Sequence, residues 1–279
     1  MSADKSPLKP EDYAEPRCLL CDEPYGKAAV RAIPQQRVIE KMDEYMSRRD
    51  YAGAERHLLY WLEEARLGRD ERGELLVQNE LIGHYRKTAQ KEKGLESVAE
   101  AMRLLKELDF ESTLSAGTTY VNSATFLNSI GENEKALAYF EKAKDLYESA
   151  GQTKPELLGG LYNNMALVLT ALGRFAEAHA LYDRATEKMA LVPGGVLEQA
   201  ITCLNRANTV EAEKGLDAGE KEIFALLDRA LLLLRDPSAP RNGYLAFVYE
   251  KCAPTFSYYG YFADAEELKK RAEEIYARS

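Results

Sequence analysis

The sequence is poor in the residues that would support disulfide, metal or membrane chemistry. It has four cysteines and three histidines among 279 residues, and a chain long enough to bury a sizeable core does not need disulfides. Its apolar runs reach only about half of the roughly 20 residues that a membrane span needs. The first residues, MSADKSPLKPEDYAEP, lack the apolar core of a signal peptide. We therefore expect a cytoplasmic protein with no membrane partner.

The chain also lacks an excess of basic charge. Its 37 Lys and Arg are outnumbered by 46 Asp and Glu, for a net charge of −9, whereas nucleic-acid-binding domains usually carry a basic patch. This balance argues against nucleic acid and phosphate-rich partners and favours a neutral or basic peptide. The sequence has no glycine-rich phosphate loop, nucleophile elbow or paired-histidine metal motif. We therefore expect neither an enzyme nor a bound cofactor.

What the chain does contain is an internal repeat. Three segments superimpose on one another at a period of 42 residues: 78–101, 120–143 and 162–185. Each has an apolar run, then a turn, then two small residues seven positions apart, such as Ala136 and Ala143 or Ala178 and Ala185. Residues two turns apart share a helix face, where small side chains let two helices approach closely. Self-similarity at this period predicts a stacked array of helical hairpins.

The segment beginning near Tyr162 shows the repeat most completely. Its pattern residues are Tyr162, Met165, Ala166, Leu169, Gly173, Phe175, Ala178, Tyr182 and Ala185. In these residues the chain resembles the tetratricopeptide repeat (TPR) family, and its long units resemble those of the kinesin light chain subgroup. The resemblance implies an all-α fold, a right-handed α-solenoid of about six TPR-like hairpins with a period near 42 residues. The units would begin near residues 35, 75, 117, 159, 201 and 246 and together span 35–279.

Residues 1–34 show no helical period and are predicted to form a proline-rich N-terminal extension. They contain a CxxC motif, Cys18 and Cys21, which is half of a zinc site. No second CxxC and no paired histidines follow to complete it. We expect these thiols to be unpaired or packed rather than metal-bound, with a zinc site and a redox pair as the alternatives.

Asparagine recurs on the predicted first helices of successive hairpins, although it is a poor helix former. In a solenoid of this type the first helices line the concave groove, which is the usual binding surface. An amide both donates and accepts hydrogen bonds, so a row of amides can pair with the backbone of an extended peptide. The alternative is that these amides bond to neighbouring helices or to water. The predicted groove residues are Asn79, Arg86, Asn122, Thr125, Asn128, Asn163, Asn164, Asn205, Arg206 and Thr209, with Phe247 and Tyr258 as an aromatic wall.

These observations favour a protein-interaction scaffold that binds an extended peptide or partner segment in the groove. One alternative is a signal-responsive TPR regulator whose superhelix changes when a small peptide or metabolite binds. Another is a structural module that uses a zinc site at the CxxC motif.

The cysteine interpretation can be tested directly. If Cys18 and Cys21 hold no metal, elemental analysis of the purified protein should find no stoichiometric zinc, and the double variant Cys18→Ser/Cys21→Ser should fold normally. One tightly bound zinc per chain that disappears in the double variant would establish the metal site instead.

Overall fold

A computed structural model describes residues 31–239 and 242–277 of the chain. Every regular element in these two ranges is an α-helix, twelve in all, and neighbouring helices pack in pairs. This arrangement confirms the predicted all-α fold of helical hairpins. The chain divides into two compact units, unit 1 (1–130) and unit 2 (131–279), and each is described separately below.

Unit 1 contains two helical hairpins and a fifth helix that packs on the second hairpin. Its helices are α1 (Gln35–Ser47), α2 (Tyr51–Gly68), α3 (Glu71–Lys87), α4 (Lys91–Glu107) and α5 (Leu114–Ser129). Asp70 caps the start of α3, because its carboxylate accepts the backbone N–H of Gly73 at 2.9 Å. The same carboxylate accepts the N–H of Ile33 at 2.8 Å. One buried side chain therefore joins the segment before α1 to the beginning of α3.

Unit 2 begins with one helix and continues with three hairpins. Its helices are α6 (Asn133–Ser149), α7 (Pro155–Ala171), α8 (Phe175–Met189), α9 (Val196–Lys214), α10 (Leu216–Leu234), α11 (Gly243–Tyr258) and α12 (Phe262–Tyr276). The hairpins α7–α8, α9–α10 and α11–α12 turn at Gly173, Gly215 and Gly260, whose φ angles are 72°, 78° and 87°. Only glycine adopts this left-handed region without a steric penalty, so these residues allow the tight turns.

The small residues of the repeat pattern are buried between packed helices, as predicted. Ala178 and Ala185 on α8 have no exposed surface, and Ala265 on α12 is buried as well. In unit 1 the equivalent position is Gly94 on α4, where an added Cβ atom would lie 2.1 Å from Cε2 of the buried Phe126. The predicted small-residue positions are confirmed, and they set how closely the helices pack.

The first helices of successive hairpins also contact one another within each unit. In unit 1, α3 contacts α5, and in unit 2, α7 contacts α9, which in turn contacts α11. Each of these first helices packs against the second helix of its own hairpin, α8, α10 or α12. The exposed and half-buried surface of α7, α9 and α11 is called the first-helix face of unit 2 below. It includes Asn163, Asn164, Asn205, Phe247 and Tyr258.

Two helical glycines of unit 1 provide a matched test of this packing. Gly94→Ala should lower the free energy of unfolding by about 1–3 kcal/mol, because the new methyl group overlaps the Phe126 ring. Gly83→Ala, within α3, should raise it by about 0.5–1 kcal/mol, because no atom lies within 4 Å of its added Cβ and alanine favours helix. Urea unfolding measures both changes. A similar gain in both variants would show that Gly94 is not a close-packing position.

Candidate functional site

The predicted groove residues lie on first helices in both units. Those of unit 1 are Asn79, Arg86, Asn122, Thr125 and Asn128, on α3 and α5. Those of unit 2 are Asn163, Asn164, Asn205, Arg206, Thr209, Phe247 and Tyr258, on α7, α9 and α11. The two sets are described one after the other.

In unit 1, an asparagine pair joins α3 to α5. The amide nitrogen of Asn79 donates to the carbonyl oxygen of Leu75 and to the hydroxyl of Thr119, both at 3.0 Å. Asn122 then donates its own amide N–H to Oδ1 of Asn79 at 3.2 Å. These bonds use both side-chain N–H groups of Asn79 and one lone pair of its Oδ1, while Asn122 retains its Oδ1 and one side-chain N–H.

The other three predicted residues of unit 1 are not part of this pair. Arg86 is exposed near the end of α3, and Asn128 is half-buried near the end of α5. The Thr125 hydroxyl donates to the carbonyl oxygen of Val121 at 2.7 Å, within its own helix. Beside them on α3, burial raises the pKa of Glu80. The structure therefore gives unit 1 a polar surface with one inter-helix link.

The same kind of asparagine pair joins α7 to α9 in unit 2. Oδ1 of Asn163 accepts the Thr202 hydroxyl and the amide N–H of Asn205, both at 3.1 Å. The side-chain nitrogen Nδ2 of Asn163 and the side-chain oxygen Oδ1 of Asn205 have no partner among the described residues. Asn164 is half-buried next to Asn163. The pair thus offers one donor and one acceptor side by side.

Two predicted groove residues of unit 2 serve helix packing instead. Thr209 is fully buried and shares its hydroxyl with Thr170 at 2.8 Å and with the Tyr182 hydroxyl at 3.2 Å. Arg206 forms an ion pair at 2.5 Å with Asp183 on α8, toward the second helices. Arg206 directly follows Asn205, so the two side chains differ in direction by about 100°. Thr209 lies one turn after Asn205 but is buried.

Helix α11 presents an exposed aromatic stripe. Tyr244, Phe247, Lys251, Pro254 and Tyr258 follow one another at spacings of three or four and are all exposed, so they share one face of the helix. Phe247 is 41% exposed and Tyr258 is 68% exposed. The Tyr244 and Phe247 rings stack with their centroids 6.2 Å apart. Exposed apolar patches on proteins are often sites of interaction.

Two glutamates of α9 border this stripe, and the sequence pattern did not single them out. Glu198 accepts the Tyr244 hydroxyl, and Glu211 accepts the hydroxyls of Tyr258 and Tyr259, both at 2.7 Å. Burial raises the pKa of Glu198, and the bond to Glu211 raises the pKa of Tyr258. Each glutamate and its tyrosine are 46 or 47 residues apart, one repeat length, so aligning the last two units could have paired them.

The described residues show little sign of metal or thiol chemistry. In 31–239 and 242–277, no three His, Cys, Asp or Glu side chains cluster closely enough to hold a metal ion. Burial raises the pKa of the Cys252 thiol to about 12 and also raises the pKa of the Cys203 thiol, which keeps both protonated and unreactive at neutral pH. Cys18 and Cys21 lie outside the described residues. No helix in those ranges combines the length and apolarity of a membrane span.

Comparison with known families confirms the resemblance drawn from the sequence. Residues 115–189 match the tetratricopeptide repeat family, a segment that includes the pattern residues from Tyr162 to Ala185. No curated protein sequence matches the chain. The family match agrees with the hairpins described above.

Three solved structures are similar to the chain at low sequence identity. A variant of a putative kinesin light chain from Podosopora anserina, with nearly identical TPR-like repeats, is 16% identical and covers 72% of this chain and 93% of its own, with a TM-score of 0.50. BtubC (BKLC) from P. vanneervenii is 18% identical, covers 88% and 92%, and has a TM-score of 0.46. A tetratricopeptide repeat protein from Parabacteroides merdae is 17% identical, covers 86% and 98%, and has a TM-score of 0.41. The first of these supports the fold alone.

The buried position of Thr209 leads to a stability prediction. Thr209→Val should lower the free energy of unfolding by about 1–3 kcal/mol, because it removes a fully buried hydroxyl that bonds to the hydroxyls of Thr170 and Tyr182. Thr186→Val on α8 is the matched control, since that half-buried hydroxyl bonds only to the Tyr182 carbonyl oxygen of its own helix. It should change stability by no more than about 0.5 kcal/mol. Equal losses in urea unfolding would contradict the packing role of Thr209.

Proposed function

We propose that the first-helix face of unit 2 binds an extended peptide segment of a partner protein. The observation that carries the proposal is the combination of an incompletely used asparagine pair on α7 and α9 with an exposed aromatic stripe on the adjacent α11. Proteins with this repeat commonly bind other proteins through such surfaces. The activity we propose is therefore recognition of a partner, with no chemical step.

The asparagine pair supplies the means to bind a peptide backbone. The amide nitrogen of Asn163 is a donor and the carbonyl oxygen of Asn205 is an acceptor, held together by the bond between the two side chains at 3.1 Å. A peptide unit presents the complementary acceptor and donor, C=O and N–H. Because the pair is already fixed between two helices, a ligand would not have to bear the entropy of ordering it.

The aromatic stripe supplies apolar area for the side chains of the bound segment. Phe247 and Tyr258 expose large parts of their rings although they lie on a helix whose other face is buried. Burying apolar ring surface stabilises a complex by roughly 25 cal/mol per Å². Aromatic residues also often dominate binding energy at interfaces. Backbone recognition by the amides and side-chain burial on α11 would thus act together.

A peptide-display experiment tests this function. Linear peptides selected on the intact protein from a random library should bind less tightly by about 1–3 kcal/mol when Asn205 is changed to Ala, because a peptide N–H then loses its acceptor. Gln199→Ala on the same helix is the control, since Gln199 bonds back to Gly195 of its own segment, and it should leave affinity unchanged. Fluorescence anisotropy gives the dissociation constants, and thermal melting checks that both variants fold.

A second measurement separates backbone recognition from side-chain recognition. N-methylation of single peptide bonds in the selected peptides should abolish binding at one or two positions, because a methylated nitrogen cannot donate. Failure to select any linear peptide, or selected peptides that bind Asn205→Ala as tightly as the unaltered protein, would contradict the proposal.

A further inference from the structure

The α9–α11 part of the first-helix face carries two aromatic–carboxylate pairs, one at each end. Toward the helix starts, Glu198 accepts the Tyr244 hydroxyl, and the Tyr244 ring stacks with that of Phe247. Toward the helix ends, Glu211 accepts the Tyr258 hydroxyl. Each pair combines a negative charge with an exposed ring face. Neither feature alone indicates a ligand, but together they match the chemistry of one kind of group.

That group is a cation with a flat, weakly hydrated surface. Among the described residues, neither Glu198 nor Glu211 forms an ion pair within 4.0 Å with a Lys or Arg, although the charge of Lys251 acts on Glu198 from farther away. Hydrogen bonds from neutral tyrosines leave their negative charge in place. A guanidinium group can stack on an exposed ring and donate two parallel hydrogen bonds to a carboxylate. Arginine therefore fits each pair better than lysine does.

The distance between the two pairs restricts the ligand further. Tyr244 and Tyr258, the ring members of the two pairs, lie on one face of α11 and are fourteen residues apart, which corresponds to about 21 Å at 1.5 Å per residue. An extended peptide covers that distance in about six residues. Lys251 lies on the stripe between Phe247 and Tyr258 and is exposed, so its positive charge disfavours a third cation in the middle.

We infer that this surface binds a basic peptide segment carrying two arginines about six residues apart, each held by one aromatic–carboxylate pair. The inference rests on the proposed function, because it assigns a partner chemistry to the same face. The net charge of −9 on the chain adds a long-range attraction that favours association with basic segments. The partner chemistry is thus a positively charged, extended stretch of protein.

Synthetic peptides of defined charge test the inference. The probe is a fluorescein-labelled peptide of serine and proline with two arginines six residues apart, and its partner probe carries citrulline, an uncharged isostere, at both positions. The arginine peptide should bind the intact protein at least tenfold more tightly than the citrulline peptide. Glu198→Gln, Glu211→Gln and Phe247→Ala should each weaken it by about fivefold or more. Added salt should weaken it as well, since exposed charges are screened.

Two control variants remove a carboxylate and an exposed ring from the second helices. Glu220→Gln lies on α10, and Phe262→Ala removes a ring on α12 that is 67% exposed. Both should leave binding of the arginine peptide unchanged. A peptide with its two arginines adjacent to each other should bind several-fold more weakly than the spaced probe, because it cannot reach both pairs.

The outcomes distinguish this inference from the proposed function. If library-selected peptides bind and depend on Asn205, but arginine and citrulline probes bind equally, the inference is wrong and the peptide-binding function stands. If arginine probes bind but the Glu220→Gln control weakens them as much as Glu198→Gln does, the effect is general charge attraction and the inference is also wrong. If neither kind of peptide binds, both proposals fail.

Discussion

The close packing of helices at small residues is the constraint on which the rest of the structure depends. Ala178 and Ala185 have no exposed surface, and Gly94 on α4 leaves no room for a Cβ atom beside Phe126 on α5. Because the helices are held together on this side, the large apolar residues of a first helix, such as Tyr162, must face inward. The remaining positions of the first helices point toward neighbouring first helices or solvent, and these positions carry the candidate site.

The asparagines on these positions serve two purposes. In each unit one pair bonds first helix to first helix, Asn79 with Asn122 and Asn163 with Asn205. Such bonds offset the poor helix propensity of asparagine. The notion that the amides either tie helices together or serve a ligand is therefore too simple, since the bond between Asn163 and Asn205 leaves a donor and an acceptor unused. The bond between the helices holds the two amides in place, and this order would favour ligand binding.

Much of the fold could be predicted because its signals are local and recur. Gly173 and Gly260 have the positive φ angles that hairpin turns need, and the small residues lie where helices meet. The candidate site was predicted less completely. Asn205 bonds to Asn163 on the neighbouring first helix, but Arg206 pairs with Asp183 on α8, and Thr209 is buried. A repeat offset identifies a helix position, but it does not identify the element that each neighbouring side chain meets.

Helix pairs, their turns and their close contacts follow from the sequence, because hydrophobic period, turn chemistry and residue size act over a few residues and are repeated along the chain. The partners of the polar side chains follow from packing. Glu211 meets Tyr258 and Tyr259 across two helices, although nothing in either local segment marks the other. Such contacts depend on the spacing and rotation of one helix against the next, which the assembled core sets for all its helices at once.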